Sequence, residues 1–177
     1  AQGLWDQAAD ILNHEARALE RGGADFIMLA TNTMHKLAEP MMQGVSIPLL
    51  HIADATAASI QRQGLRAPGL MATAFTMEQS FYTDRLVAAG LTPVIPEAAD
   101  RAQTHRIIYE ELCRDEINEA SRAEFVAIAS RLAERGADCL ILGCTEVGML
   151  LNQGNVGVPV FDTTLVHCEA ALSLALD

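Results

Sequence analysis

Two stretches of this 177-residue chain share one pattern, GAD, an apolar run and a polar tip: GADFIMLATNT spans residues 23–33 and GADCLILGCTE spans 136–146. Each follows a helical segment ending in LERG or AERG, and each precedes a short extended run closed by proline, VSIP at 45–48 and VGVP at 156–159. Thr31 and Cys144 are 113 positions apart, and Pro48 and Pro159 are 111 apart. A spacing held over whole elements marks a duplicated unit rather than a chance match. The unit reads as helix, then strand, then turn. Repeated, it requires an α/β fold with parallel strands covered on both faces.

The rest of the chain continues the alternation. Trp5, Ala8, Leu12, Ala16 and Leu19 recur at helical spacing until Gly22 and Gly23, which predicts a helix followed by the buried strand FIML. VSIPLL at 45–50 reads as a second strand, and Asp54 as the cap of a helix reaching Gly64. GLMAT follows as strand, and Thr76 with Gln79 has the form of a capping box for a helix ending near Gly90. A helix is expected from Asp100 to Cys113, and Ser121 with Glu124 reads as a further capping box, for a helix closed by Gly136. The strand near Gly69 has no partner 113 positions earlier, because that place lies before Ala1. The repeat therefore leads to the expectation that roughly 50 residues of the first unit are absent. Residues 1–50 with 155–177 are assigned to the first unit and 51–154 to the second.

Composition excludes several classes of function. Twelve Lys and Arg against 23 Asp and Glu give a net charge of −11, which repels nucleic acid and anionic membrane surfaces. No apolar run approaches a membrane span or a secretory leader, so a cytoplasmic protein is expected. The four cysteines form no CxxC pair and no zinc spacing, so neither disulfides nor a metal is signalled. The glycines form no nucleotide-binding pattern. Lys36 is the single lysine, and a pyridoxal phosphate would have to be attached there.

Chemistry is expected at the strand tips, because ligands of parallel α/β sheets bind at the carboxyl ends of the strands. If the two units face each other about a pseudo-two-fold axis, Thr31, Asn32 and Thr33 meet Cys144, Thr145 and Glu146 across one cleft. A helix N-terminus after Cys144 would lower its thiol pKa and make it a nucleophile or base. From position alone it reads equally as a small, partly buried turn residue. Hydroxyls and amides at the tips, including Thr73 and Thr76, suit a carboxylate, although helix capping explains Thr76 as well. Cys113 and Cys139 read as core, His14 and His105 as solvated helix residues, and His51 as a cleft candidate just past a strand. Asp54 and Asp162 read as caps, and Glu146 as a capping or supporting carboxylate.

ATNTMHK, HIADAT, TAFTMEQSFY, LILGCTE and PVFDTT, in this order, resemble the aspartate/glutamate racemase family of cofactor-independent amino-acid racemases, and specifically a branch with threonine at the first thiol position. The resemblance covers essentially the whole chain. It implies two similar α/β domains with the active site between them, a two-base mechanism without metal or pyridoxal phosphate, a small acidic amino acid as ligand, and a homodimer. It also implies Cys144 as the base facing the L-substrate and Thr31 on the opposite face, since TNT stands where the family usually has CNT. Asn32, Thr33, Thr73 and Thr145 would hold the α-carboxylate, with Thr76 beside them. Arg114 lies where family members often carry a cation for the distal carboxylate, or it is a solvated helix-end arginine. Two other readings stay open: a single-thiol decarboxylase or cis–trans isomerase of a dicarboxylate on the same fold, and a catalytically silent protein that binds acidic amino acids.

Overall fold

The computed structural model describes residues 3–176. In chain order the elements are α1 (Trp5–Arg21), β1 (Ile27–Met28), a 3-10 turn (Thr33–Leu37), α2 (Ala38–Met41), β2 (Leu49–Leu50), α3 (Ile52–Arg62), β3 (Pro68–Ala72), α4 (Ala74–Glu78), α5 (Ser80–Ala88) and α6 (Ala98–Glu110). After a second 3-10 turn (Leu112–Arg114) come α7 (Glu119–Glu134), β4 (Cys139–Gly143), a third 3-10 turn (Val147–Met149), β5 (Val160–Asp162) and α8 (Thr163–Leu176). β1 pairs with β2, and β3, β4 and β5 form a second sheet in that order, all strands parallel. This is the expected α/β architecture, with helices flanking parallel sheets.

The sequence repeat is reproduced bond for bond. α1 ends with Ala24 N–H donating to Leu19 O (3.1 Å), and α7 ends with Ala137 N–H donating to Leu132 O (3.0 Å). Both closures turn on a glycine at positive φ, Gly23 at +88° and Gly136 at +98°, a conformation that a Cβ disfavours. The strands then pair in matching register, Ile27 with Leu49 and Leu140 with Val160. Ile27 N–H donates to Pro48 O and Leu140 N–H to Pro159 O, both at 2.8 Å. At the end of each second strand a side chain caps the next helix, accepting from the N–H two residues on. His51 Nδ1 accepts from Ala53 N–H (3.2 Å), and Asp162 Oδ1 accepts from Thr164 N–H (2.8 Å). The capped helices, α3 and α8, pack against each other.

Packing follows strand alternation. Leu70, Ala72, Cys139 and Ile141 point into a core shared with Ile52, Ile60, Tyr82 and Leu86. Met71, Leu140 and Leu142 point the other way, toward Ile107, Phe125, Ile128 and Leu132. Successive residues of one strand thus serve opposite cores. All five residues of β3 and of β4 are buried, so truncating one of the leucines to alanine costs about 2–5 kcal/mol.

Several expectations are corrected. β5 joins β4, so residues 160–162 lie in the sheet of the second unit and not with residues 1–50. The reason is the duplicated bond itself, since Pro159 O is already held by Leu140. The strand expected at 45–50 is laddered only at Leu49–Leu50. Asp54 does not cap α3 but pairs with Arg85 at 2.6 Å. Neither capping box forms. Thr76 lies inside α4, whose N-cap is Thr73, and Gln79 is extended between α4 and α5. Ser121 lies inside α7 and donates its hydroxyl to Glu111.

His35, His51 and His167 are buried together, with His35 and His51 ring centroids 4.2 Å apart and His167 6.0 Å from His35. His35 Nε2 accepts from Ile52 N–H (3.2 Å), which leaves Nδ1–H to donate to Thr31 O (2.7 Å). Burial, then repulsion from His167 and Arg85, pushes His35 down to about 4, against the pull of its Thr31 bond. Burial, His35, Arg85 and His167 depress His51 further. Both rings are neutral when folded, so their contribution is fully present above the ordinary histidine value of 6.5. It is lost as pH falls from there through about 4, at about 1.4 kcal/mol per unit for each ring. The thermal midpoint followed by circular dichroism is expected to fall steeply over that window. His51→Asn, which keeps the α3 cap acceptor, should flatten the dependence.

Candidate active site

The two tips that the repeat makes equivalent open into one cleft of about 320 Å³, which Thr31, Thr33, Thr73, Cys144 and Glu146 line. Thr31 follows β1 and is held by His35 through its carbonyl. Thr73 ends β3 and stands at the N-cap of α4. Cys144 follows β4 directly after Gly143, where a Cβ would meet Ala72 Cβ and Leu70 Cδ1 at 3.0 Å. The glycine therefore lets the strand end against its neighbour without displacing it.

The hydroxyls of Thr33, Thr73 and Thr76 form a triangle, with Thr33 at 3.4 Å from Thr73 and 3.5 Å from Thr76, and Thr73 at 3.3 Å from Thr76. The hydroxyls of Thr33 and Thr73, which line the cleft, can turn their protons toward it and suit a carboxylate oxygen, with the fully buried Thr76 behind them. Thr76 belongs to this triangle and caps nothing.

Asn32 and Thr145 stand elsewhere. Asn32 is 4 % exposed and donates from Nδ2 to Thr163 Oγ1 (3.0 Å), which in turn donates to Leu142 O (2.8 Å). It fastens one tip to the other sheet instead of facing the cleft. Thr145 faces a separate cavity of about 50 Å³ that also borders Thr31, Ile52 and His167. Arg114 is exposed on the turn after α6, next to Cys113. Lys36 Nζ sits 4.5 Å over the Trp5 ring, a cation–π contact at the cleft wall.

Cys113, read from sequence as core, is exposed and lines the cleft. With it come walls that the sequence pattern does not single out: Trp5, Met34, Phe75, Ile108 and Tyr109. Trp5 and Phe75 meet edge to face at 6.1 Å. His105 is not a solvated residue, since its Nδ1 accepts from Ala74 N–H (3.2 Å) and its ring lies 4.6 Å from Tyr109. Positions 105 and 109 are four apart and share one face of α6, whereas Cys113 lies past the end of that helix, in the 3-10 turn. His51 is buried against His35 and is not among the lining residues of the cleft.

The Cys144 thiol donates to Glu146 Oε2 at 2.8 Å, and the Thr145 hydroxyl donates to the same oxygen at 2.6 Å. The turn after Cys144 is a three-residue 3-10 segment, too short to align the peptide dipoles that ease thiol ionisation. Burial first, then the Glu146 carboxylate, pushes Cys144 up to about 12, and only the Glu146 backbone N–H pulls the other way. The expected lowering of the thiol pKa is thus reversed. Burial works to raise Glu146 also, but its bonds from Cys144, Thr145 and its own N–H outweigh that and hold it below the ordinary carboxylate value. Among the described residues no group of three or more His, Cys, Asp or Glu is placed to hold a metal ion. No described helix is long and apolar enough to cross a membrane.

The model of the Asp/Glu/Hydantoin racemase family matches residues 1–171. A Yersinia pestis crystal structure, provisionally assigned as an Asp/Glu racemase, is 44% identical over 100% of this chain and 77% of its own, with a TM-score of 0.95. An aspartate racemase homologue from Pyrococcus horikoshii is 34% identical over 100% and 78%, with a TM-score of 0.89. The broad specificity amino-acid racemase RacX of Bacillus subtilis is 24% identical over 158 residues, 89% of this chain and 68% of RacX.

A thiol that is protonated at neutral pH reacts slowly with iodoacetamide. In the ligand-free protein, alkylation of Cys144, followed by peptide mapping, should lag behind the exposed Cys168. Its rate is expected to climb about tenfold per pH unit as pH rises.

Proposed function

The chain belongs to the Asp/Glu/Hydantoin racemase family, a family of enzymes, and on that premise we propose that it interconverts the enantiomers of an acidic amino acid, aspartate or glutamate, with the L-enantiomer preferred. The observation that carries this reading is that Thr31 and Cys144, equivalent residues of a duplicated unit, line one cleft. Cys144 takes the Cα proton of the L-substrate, and reprotonation comes from the Thr31 face. The α-carboxylate is received by the hydroxyls of Thr33 and Thr73, 3.4 Å from each other and backed by the buried Thr76 hydroxyl. Donors there stabilise the charge that flows into the carboxylate as Cα loses its proton. Arg114, at the end of the turn that carries Cys113 into the cleft wall, is the cation assigned to the distal carboxylate.

A threonine hydroxyl holds its proton far more tightly than a thiol and is a much weaker base near neutral pH. The two faces are therefore unequal. Incubation in heavy water, with L- and D-aspartate in separate reactions, is expected to wash deuterium into Cα at least about tenfold faster from the L-enantiomer. Equal wash-in from both would sink the asymmetric assignment, and deuterium-free substrate from both would sink the racemase reading.

A further inference from the structure

Among the described residues Glu146 is the one carboxylate in the cleft lining. Its Oε2 is occupied by two donors, the thiol of Cys144 and the hydroxyl of Thr145. That placement is adverse to catalysis as it stands, since a base must lose its proton beside a fixed negative charge. An amino acid brings a group that resolves the conflict. Its α-ammonium donates strong, charge-assisted hydrogen bonds to a carboxylate and cancels the charge. We propose that Glu146 is the seat of the substrate's α-ammonium group, and that it keeps the Cys144 thiol protonated until an amino acid replaces that thiol as its hydrogen-bond donor. The inference rests on the reading of the cleft as an amino-acid racemase site.

Burial and the carboxylate act together to keep the proton on sulfur. With the ammonium in place, Sγ loses both its acceptor and the neighbouring negative charge. The S–H bond breaks, the proton passes to water, and the electron pair stays on sulfur. The thiolate then takes the Cα proton. The Thr145 hydroxyl, which bonds to the same oxygen, keeps the carboxylate turned toward the thiol. The device also selects substrates. A dicarboxylate without an amine brings only negative charge to Glu146 and leaves the thiol protonated, so the same residue rejects the substrates of a decarboxylase or a cis–trans isomerase.

The test uses calorimetry of L-aspartate and of succinate, which has the same skeleton without the amine, on the wild-type protein and on Glu146→Gln. L-aspartate binding should weaken at least about tenfold in the variant, while succinate binding holds or tightens. Alkylation of Cys144 by iodoacetamide in the ligand-free variant at neutral pH should speed up at least about tenfold, because the group that holds the proton is gone. In the wild-type protein alone, thiolate absorbance should grow on adding L-aspartate and not on adding succinate. Equal L-aspartate affinity in the two proteins, alkylation that is equal or slower in the variant, or tighter wild-type binding of succinate than of L-aspartate overturns the proposal. None of these readouts needs turnover. Failure of racemisation therefore counts against the enzymatic reading, whereas the role of Glu146 stands or falls on binding and alkylation.

Discussion

A buried chain of two hydrogen bonds, from Asn32 Nδ2 to Thr163 Oγ1 and from Thr163 Oγ1 to the Leu142 carbonyl, fastens the tip after β1 to the end of β4. Leu142 lies two residues before Cys144, and Asn32 follows Thr31. These bonds therefore set where Thr31 stands relative to Cys144. Removing either partner leaves a buried polar group unpaired, at about 1–3 kcal/mol, and releases the two tips from each other. His35 adds a second tie, because it clamps the Thr31 carbonyl to the first N–H of α3.

Duplication explains why such ties are enough. Both units use the same closure of the first helix, the same proline carbonyl and the same reach of cap to helix. The second helix of each, α3 in one and α8 in the other, packs on its counterpart. Two copies related in this way present equivalent tips to one cleft. The tips differ in side chain, Thr31 against Cys144 and Thr33 against Glu146.

Much of this is legible in the sequence because it is written in local rules. Gly23 and Gly136 end their helices where the pattern says they should, and the unbroken apolar runs LILG and GLMA identify strands buried on both faces. What escapes depends on where side chains are sent by the whole fold. Ser121 and Thr76 have the composition of caps, yet each lies within its helix with its hydroxyl aimed at another element or at the site. Cys113 has the neighbours of a core residue if α6 runs through it, whereas a 3-10 turn redirects it into the cleft wall. His35 and His51 are polar by type, but they pack against each other, rings tilted, as neutral core groups. The state of the Cys144 thiol also lies beyond local rules. It is governed by burial and by a carboxylate two residues away that folds back on it.

The central claim is that the difference between Thr31 and Cys144 makes one face of a duplicated site the stronger base. The most direct measurement is Cα hydrogen exchange from the two aspartate enantiomers in Thr31→Cys beside the wild-type protein. Restoring a thiol to the first tip is expected to raise exchange from the D-enantiomer and bring the L-to-D ratio toward one. A ratio unchanged by that substitution in a folded protein would contradict the claim.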